Sequence, residues 1–378
     1  MLVYILLLGF ICFDFWLEHY LTKKGTLSKE TKFTKFLNFV FKYRVLTIFT
    51  IVFISTFRAV GVGGDTVHYF RYYDILQNEY YYYYDYEIGY TALNFLLAVV
   101  FRFDFRVLFF IVSLFTAICF TLFINKLSCN KLMSFLLFVM FGVFGQSLSA
   151  LRQIIAIGFI LISLMYIVDN KMWRGTVFIL CAGLFHVTAL LCLIIIPMKY
   201  IKLNHWWILG LSIFSCVFAF TLPYILQLIE LIIPQLSFYE QYFIVEAKHF
   251  FEGPSLLNSL YSIGMIAIYA VLYLARYKWF KEELENDKIF TYFLTLFTII
   301  PLIRIAGLII GLESLLNRIN MYFFFLLIIL VPRFLECLKR FNHQDWIYGL
   351  AYFGAFAYMI LLYIFHDTCS VVPYEFWF

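Results

Sequence analysis

The sequence predicts an all-α, polytopic bundle of about ten to twelve membrane helices, and three observations carry that prediction. Hydrophobic residues make up 64% of the 378 and charged residues only 13%. Soluble domains carry about 45–50% and about 25%, so a soluble surface would be far too apolar. The mean hydropathy is +0.90. The apolar residues fall in repeated runs near the ~20 residues that a helix needs to cross the hydrocarbon, without the alternation of β-barrel strands. No window reads as a detachable soluble domain, so 1–378 is expected to form a single transmembrane domain with outer loops at 61–88 and 223–255.

The first run, 2–21, lacks a positive n-region and a cleavage site and reads as a retained helix, with Asp14 and Glu18 near one end. A basic connection follows, holding Lys23, Lys24, Lys29, Lys32, Lys35, Lys42 and Arg44 against the single acid Glu30. Lys and Arg in short loops mark the cytoplasmic side, which puts the N-terminus outside. A second helix over 39–57 returns outward and delivers the polar segment 58–90 to the outer face.

The next spans admit two topologies. Segments 89–103 and 133–145 are short for a crossing, 107–124 is comfortable, and 154–168 and 176–197 follow polar breaks. Twelve plain crossings would leave Lys126, Lys131, Lys171 and Arg174 outside. If 89–103 and 176–197 are instead re-entrant or tilted, those cations move inside and Arg152 moves outside. The second form fits the positive-inside rule, and re-entrant backbone requires surrounding protein or a wet cavity. Spans at 206–222, 256–275, 289–310, 319–331 and 346–365 complete the chain, the first of them ending at Pro223, and both termini lie outside.

The eight cysteines show no metal-ligand spacing and read as free thiols; no metal or other cofactor is expected. The net charge of +5 resides in short loops beside spans and gives no reason to expect nucleic acid.

Ionisable side chains within spans default to functional candidates when they face the bundle interior. Segment 58–90 concentrates Asp65, His68, Arg71, Asp74 and Glu87 among Gly and Tyr. Carboxylates and an imidazole can activate hydroxyls, and tyrosine faces can stack on sugar rings, which suggests a carbohydrate site at a watery mouth. The run Tyr80–Tyr84 is either such a platform or an interfacial belt. In S-A-L-R-Q-I-I-A, Arg152 stands where a helix begins; it is either a snorkelling arginine or an anion ligand. Arg58, Arg304 and Arg318 join it as candidate diphosphate ligands, because the guanidinium fork matches phosphate oxygens. Arg318 and Tyr322, four apart, share a helix face. His186, alone in a long apolar run, is either a packing residue or a general base, and Asp65 and Glu87 compete for the latter role.

Six short stretches then stand in a telling order: R-A-V-G-V-G-G-D-T-V-H-Y at 58–69, E-I-G-Y at 87–90, L-R-Q-I-I-A at 151–156, F-H-V-T-A-L at 185–190, N-R-I-N-M-Y-F at 317–323 and V-P-Y at 372–374. In these the chain resembles the EpsG family of Wzy-like polysaccharide polymerases. The resemblance implies a GT-C-like fold in a bacterial inner membrane and polymerisation of undecaprenyl-diphosphate-linked oligosaccharide repeat units, without metal, for O-antigen, capsule or exopolysaccharide. On that reading Asp65, Glu87 and His186 are catalytic candidates; Arg58, Arg152, Arg304 and Arg318 hold diphosphate; and Tyr69, Tyr90, Tyr322 and Tyr374 hold sugar. Expected partners are the lipid-linked oligosaccharide, membrane lipid and a chain-length regulator. A lipid-linked sugar flippase and a membrane acyltransferase are the alternative functions; the first would show symmetric halves, and the second leaves the arginines unexplained.

Overall fold

The structure, a computed structural model, describes residues 1–28, 31–78, 86–202, 204–232, 256–309, 313–338, 344–365 and 369–377. Among them the chain is helical throughout, without a named strand. Six helices are long and apolar enough to cross a membrane, or up to nine if each of three bent pairs is one span. Four shorter apolar helices, Ile88–Val100, Met172–Gly183, Val187–Met198 and His205–Val217, account for the other runs. Exposed Phe10, Phe13 and Trp16 form an aromatic stripe on the first helix, as a lipid-facing surface would.

Contacts divide the chain into two compact units, Met1–Leu193 with Val331–Phe378, and Ile194–Leu330. In the first unit, α1 (Leu2–Lys23) packs on α3 (Val45–Thr56), which follows α2 (Lys32–Lys42). The expected single span 39–57 is a bent pair, with 56° between α2 and α3. The cause is Arg44, which adopts left-handed backbone (φ 52°) at the break. It turns inward there to reach Glu18 at 2.5 Å, with Asp14 at 3.9 Å and the Phe15 ring at 3.6 Å. Thr47 Oγ1 donates to Asp14 at 2.7 Å. A buried charge thus bends a helix that hydropathy alone draws straight.

The expected loop 61–88 contains a helix, α4 (Thr66–Asn78), and its tyrosine run 80–84 lies outside the described residues. Then α5 (Ile88–Phe95) continues through a π-turn over Leu96–Val100. Both ends of this piece are tied to α4. Tyr72 Oη lies 3.4 Å from Thr91 Oγ1, and Tyr73 Oη donates to the Phe103 carbonyl at 2.8 Å. α6 (Phe105–Leu127), capped by Asp104, runs to the opposite end of the unit. α7 (Lys131–Met140) and α8 (Val143–Ser149) are another bent pair, at 51°. α9 (Leu151–Val168) and α10 (Met172–Gly183) pack along each other, and a 3-10 segment, Val187–Ile194, follows.

These helices give the first unit two distinct ends. At one, Lys126 Nζ pairs with Asp169 at 2.6 Å, Asn125 donates to the Lys42 carbonyl, and Arg44 meets Glu18. Lys131, Lys171 and Arg174 begin α7 and α10 at this same basic end. At the other end, the Tyr4 hydroxyl donates to Val371 O at 2.8 Å, and the C-terminal tail pairs with the segment after α3. Gly63 N–H donates to Ser370 O, Gly64 N–H to Cys369 O and Ala59 N–H to Glu375 O, at 2.8, 2.9 and 2.8 Å.

In the second unit, α11 (Ile195–Met198) is followed by α12 (His205–Ile232), which passes Pro223, where its span was expected to end. A proline within a membrane helix is tolerated when neighbours re-satisfy the freed carbonyl. Most of the expected outer segment, 233–255, lies outside the described residues. α13 (Leu256–Leu274), α14 (Lys281–Asn286), α15 (Lys288–Phe297), α16 (Ile299–Ile309) and α17 (Glu313–Phe324) complete this unit. α12 and α13 both pack on α16, where Ser215 Oγ donates to Leu302 O at 2.6 Å. The chain returns to the first unit through α18 (Leu327–Cys337), which keeps Pro332 inside it rather than ending there, and α19 (Gln344–Ile360).

Candidate functional site

Three breaks in helical structure meet at the loop end of the first unit, and each delivers one side chain. Glu87 immediately precedes α5. Arg152 is the second residue of α9, whose start follows a kinked Ala150 (φ −92°, ψ 68°), as the sequence predicts. His186 sits between α10 and the 3-10 segment. Gly89 brings the first and third together: its N–H donates to Leu184 O at 2.7 Å, and a Cβ there would meet that same oxygen at 2.7 Å. Only glycine allows this approach, which explains the G of E-I-G-Y.

The Glu87 carboxylate is the hub. Arg152 Nη1 donates to Oε2 at 2.6 Å, while His186 Nδ1 and the Val187 N–H meet Oε1 at 2.9 and 3.1 Å. The three side chains are 16%, 20% and 8% exposed for Glu87, Arg152 and His186. Burial disfavours the carboxylate charge, but the His186 hydrogen bond, the Arg152 charge and a backbone N–H outweigh it and hold the Glu87 carboxyl down at about 2. Glu87 is therefore an anion that accepts only, so the His186 proton belongs on Nδ1. His186 Nε2 and Arg152 Nε are buried with no hydrogen-bond partner among the described residues.

Tyrosines wall the arginine. Its guanidinium carbon lies 4.3 Å from the Tyr86 ring and 5.9 Å from Tyr69. Tyr69 and Tyr86 both meet Tyr90 edge-on, at 5.4 and 5.6 Å, and Tyr72 meets Tyr86 at 4.7 Å. Burial pushes the Tyr69 phenol up against the opposing pull of Arg152, so it remains protonated and able to donate. Sequence reasoning singled out Tyr69 and Tyr90 but missed Tyr72 and Tyr86. The signal for Tyr72 was present: Tyr69, Tyr72, Tyr73 and Leu76 are buried on α4 at helical spacing.

The other candidates lie elsewhere. Arg58 is 1% exposed and donates to Ser55 O, Leu148 O and Val62 O at 2.5, 2.8 and 3.3 Å, with its guanidinium 3.7 Å from the Phe109 ring. Beside it, Thr66 Oγ1 also reaches Leu148 O at 3.1 Å, and Gly63 (φ 105°) passes so close that a Cβ would stand 2.6 Å from that oxygen. Asp65 is exposed and is held through its backbone N–H, which donates to Ser149 Oγ at 3.3 Å. The Tyr374 hydroxyl donates to Ile54 O, and its ring meets Tyr4 edge-on.

In the second unit Arg304 is buried over the Tyr261 ring at 4.4 Å, and Asn320 Nδ2 donates to Tyr261 Oη at 3.2 Å. Arg318 is half-buried and Tyr322 buried on α17. Tyr261 and Asn320 were not anticipated from sequence; the two asparagines that flank Arg318 in N-R-I-N give little to choose between surface and core.

A model of the EpsG family matches residues 41–376. No curated protein and no solved structure matches the chain.

Proposed function

The chain belongs to the EpsG family of Wzy-like polysaccharide polymerases, and on that premise we propose that it joins oligosaccharide repeat units carried on a polyprenyl diphosphate, at the outer face of a bacterial inner membrane. The observation that carries this reading is the Arg152–Glu87–His186 junction: a cation, an anion and an imidazole held together in a chain otherwise poor in charge. A growing glycan on lipid diphosphate has a competent leaving group that needs charge stabilisation rather than protonation. Arg152 is suited to that task. Glu87 fixes one end of the guanidinium, and its remaining N–H groups offer charge-assisted bonds to departing phosphate oxygens. The tyrosine wall offers ring faces for sugars.

The orientation rests on charge. Lys126, Lys131, Lys171 and Arg174 share the basic end with Arg44, whereas Arg152 and Glu87 occupy the opposite end. The positive-inside rule supports a cytoplasmic basic end, and with it an outer site and an outer N-terminus. That distribution agrees with the form in which both 89–103 and 176–197 are re-entrant or tilted. Arg304 and Arg318 remain candidate phosphate ligands and Tyr322 a candidate sugar contact of the second unit.

The test is reconstitution. The purified full chain in vesicles, given lipid-diphosphate-linked repeat units, should yield a ladder of products on a gel without any further enzyme. Products that never exceed one repeat unit would overturn the reading. Transfer of intact single units across the bilayer would point to a flippase, and acylated but unextended units to an acyltransferase.

A further inference from the structure

We propose that His186 takes the proton from the attacking acceptor hydroxyl at Nε2, and that Glu87 is the positioning residue that holds the imidazole in the tautomer this requires. The inference rests on the polymerase reading above and settles, within it, which of three titratable groups does which job.

The geometry distributes the roles. A carboxylate accepts and cannot donate, so the 2.9 Å contact with Glu87 Oε1 puts the His186 proton on Nδ1 and leaves the lone pair on Nε2. That nitrogen is buried and has no partner among the described residues. An unpaired buried acceptor is unfavourable, and a substrate hydroxyl is the kind of donor that would relieve it. Glu87 itself is badly placed to be the base. Oε1 already accepts from His186 and Val187, Oε2 accepts from Arg152, and a carboxyl held at about 2 has little affinity for a proton near neutral pH. Asp65 is exposed, tied to the fold by its backbone rather than by its carboxyl. The charged groups facing the imidazole are Glu87, from the segment before α5, and behind it Arg152, from α9; Tyr69 and Tyr86 add phenols around Arg152.

The step balances without a further reagent. The acceptor O–H bond breaks and its proton goes to Nε2, while the oxygen forms a bond to the anomeric carbon of the donor glycan. The bond from that carbon to the diphosphate oxygen breaks, and the electron pair leaves on the diphosphate beside Arg152. The imidazolium, stabilised by Glu87, then gives its proton to water or to the released diphosphate.

Two substitutions separate base from packing residue. His186→Asn places an amide N–H near the position of Nδ1 and so preserves the hydrogen bond to Glu87, but it has no Nε2. Polymerisation by the full chain, with purified lipid-linked repeat units over a range of pH, should fall ~10²-fold or more in kcat, the usual range for a positioned acid–base group, with KM and protein amount little changed. Glu87→Gln keeps the shape and an acceptor for Nδ1, so as the variant of a positioning residue it should lose less than His186→Asn, with the loss in kcat rather than KM. A His186→Asn chain with normal kcat would overturn the proposal and leave His186 as a hydrogen-bond donor to Glu87. So would a Glu87→Gln chain that loses kcat as fully as His186→Asn or more, ~10²-fold or beyond, because Glu87 would then be the base. If the unsubstituted chain extends no lipid-linked unit at all, the polymerase reading itself fails, which these variants cannot mimic.

Discussion

Arg58 and Arg152 lie in the same unit, each at a break beside an apolar helix, and the two surroundings could hardly differ more. Arg58 donates to three backbone carbonyls and lies over an aromatic face. It closes a latch in which the segment after α3, the end of α8 and the C-terminal tail are stitched by backbone bonds and by Thr66. Arg152 meets a carboxylate that also holds an imidazole, and it keeps a buried N–H with no partner among the described residues. The first arrangement satisfies the guanidinium with groups that have nowhere else to go, which is what a folded interior needs. The second leaves a donor and an acceptor open in one place, which a folded interior avoids unless a ligand completes them. An arginine inside a membrane protein is thus not one kind of residue. Its partners decide whether it builds the fold or the chemistry.

The largest effect should come from breaking the latch. Arg58→Ala removes the side-chain donor to Ser55 O and leaves Val62 O and Leu148 O to share Thr66 Oγ1, at roughly 1–3 kcal/mol for each buried group left unsatisfied, and should sharply reduce the amount of folded protein extracted from membranes. The measurement is a gel-filtration profile of the detergent-solubilised chain. A normal profile combined with lost polymer would move Arg58 into the site as a phosphate ligand.

Next in size is Arg152→Lys, which retains the charge but not the planar fork. Losing one charge-assisted bond of about 1.5–3 kcal/mol should slow polymer formation ~10-fold to 100-fold, with normal protein amount. Polymer of full length at the usual rate would make Arg152 a membrane anchor, and the contrast with Arg58 would collapse.

The smallest effect is expected from Asp65→Asn. Its carboxyl is exposed and its backbone makes the contact with Ser149, so turnover should stay within about threefold of the unsubstituted chain, as for most surface changes. A loss of ~10²-fold would bring Asp65 into the chemistry and extend the site across the latch.

The segment 58–90 shows how far reading the chain could go. Its polar residues marked it as a candidate site, and Glu87 is where Arg152 and His186 meet; but counting charges concealed α4, with its buried stripe of Tyr69, Tyr72, Tyr73 and Leu76. The span at 39–57 shows the opposite error. Apolar content read it as one helix, and only the distant Glu18 and Asp14 explain why Arg44 bends it. Two compact units likewise arise from contacts between helices far apart in sequence, which no composition shift announces.

What the sequence by itself determined is what depends on residues close together along the chain. Membrane insertion follows from the length and apolarity of each run, and the helix start at Leu151 follows from the polar break before it. The order of short stretches is local in the same sense, and it carried the family. The tertiary structure alone decided which charges meet. Glu87 and His186 stand 99 residues apart, and Glu87 and Arg152 stand 65 apart. Their meeting depends on Gly89 closing on Leu184 and on α9 and α10 packing side by side. Pairing over such distances is set by the packing of whole helices, and the physical character of each group, as anion, base or latch, comes into being only when its partner arrives.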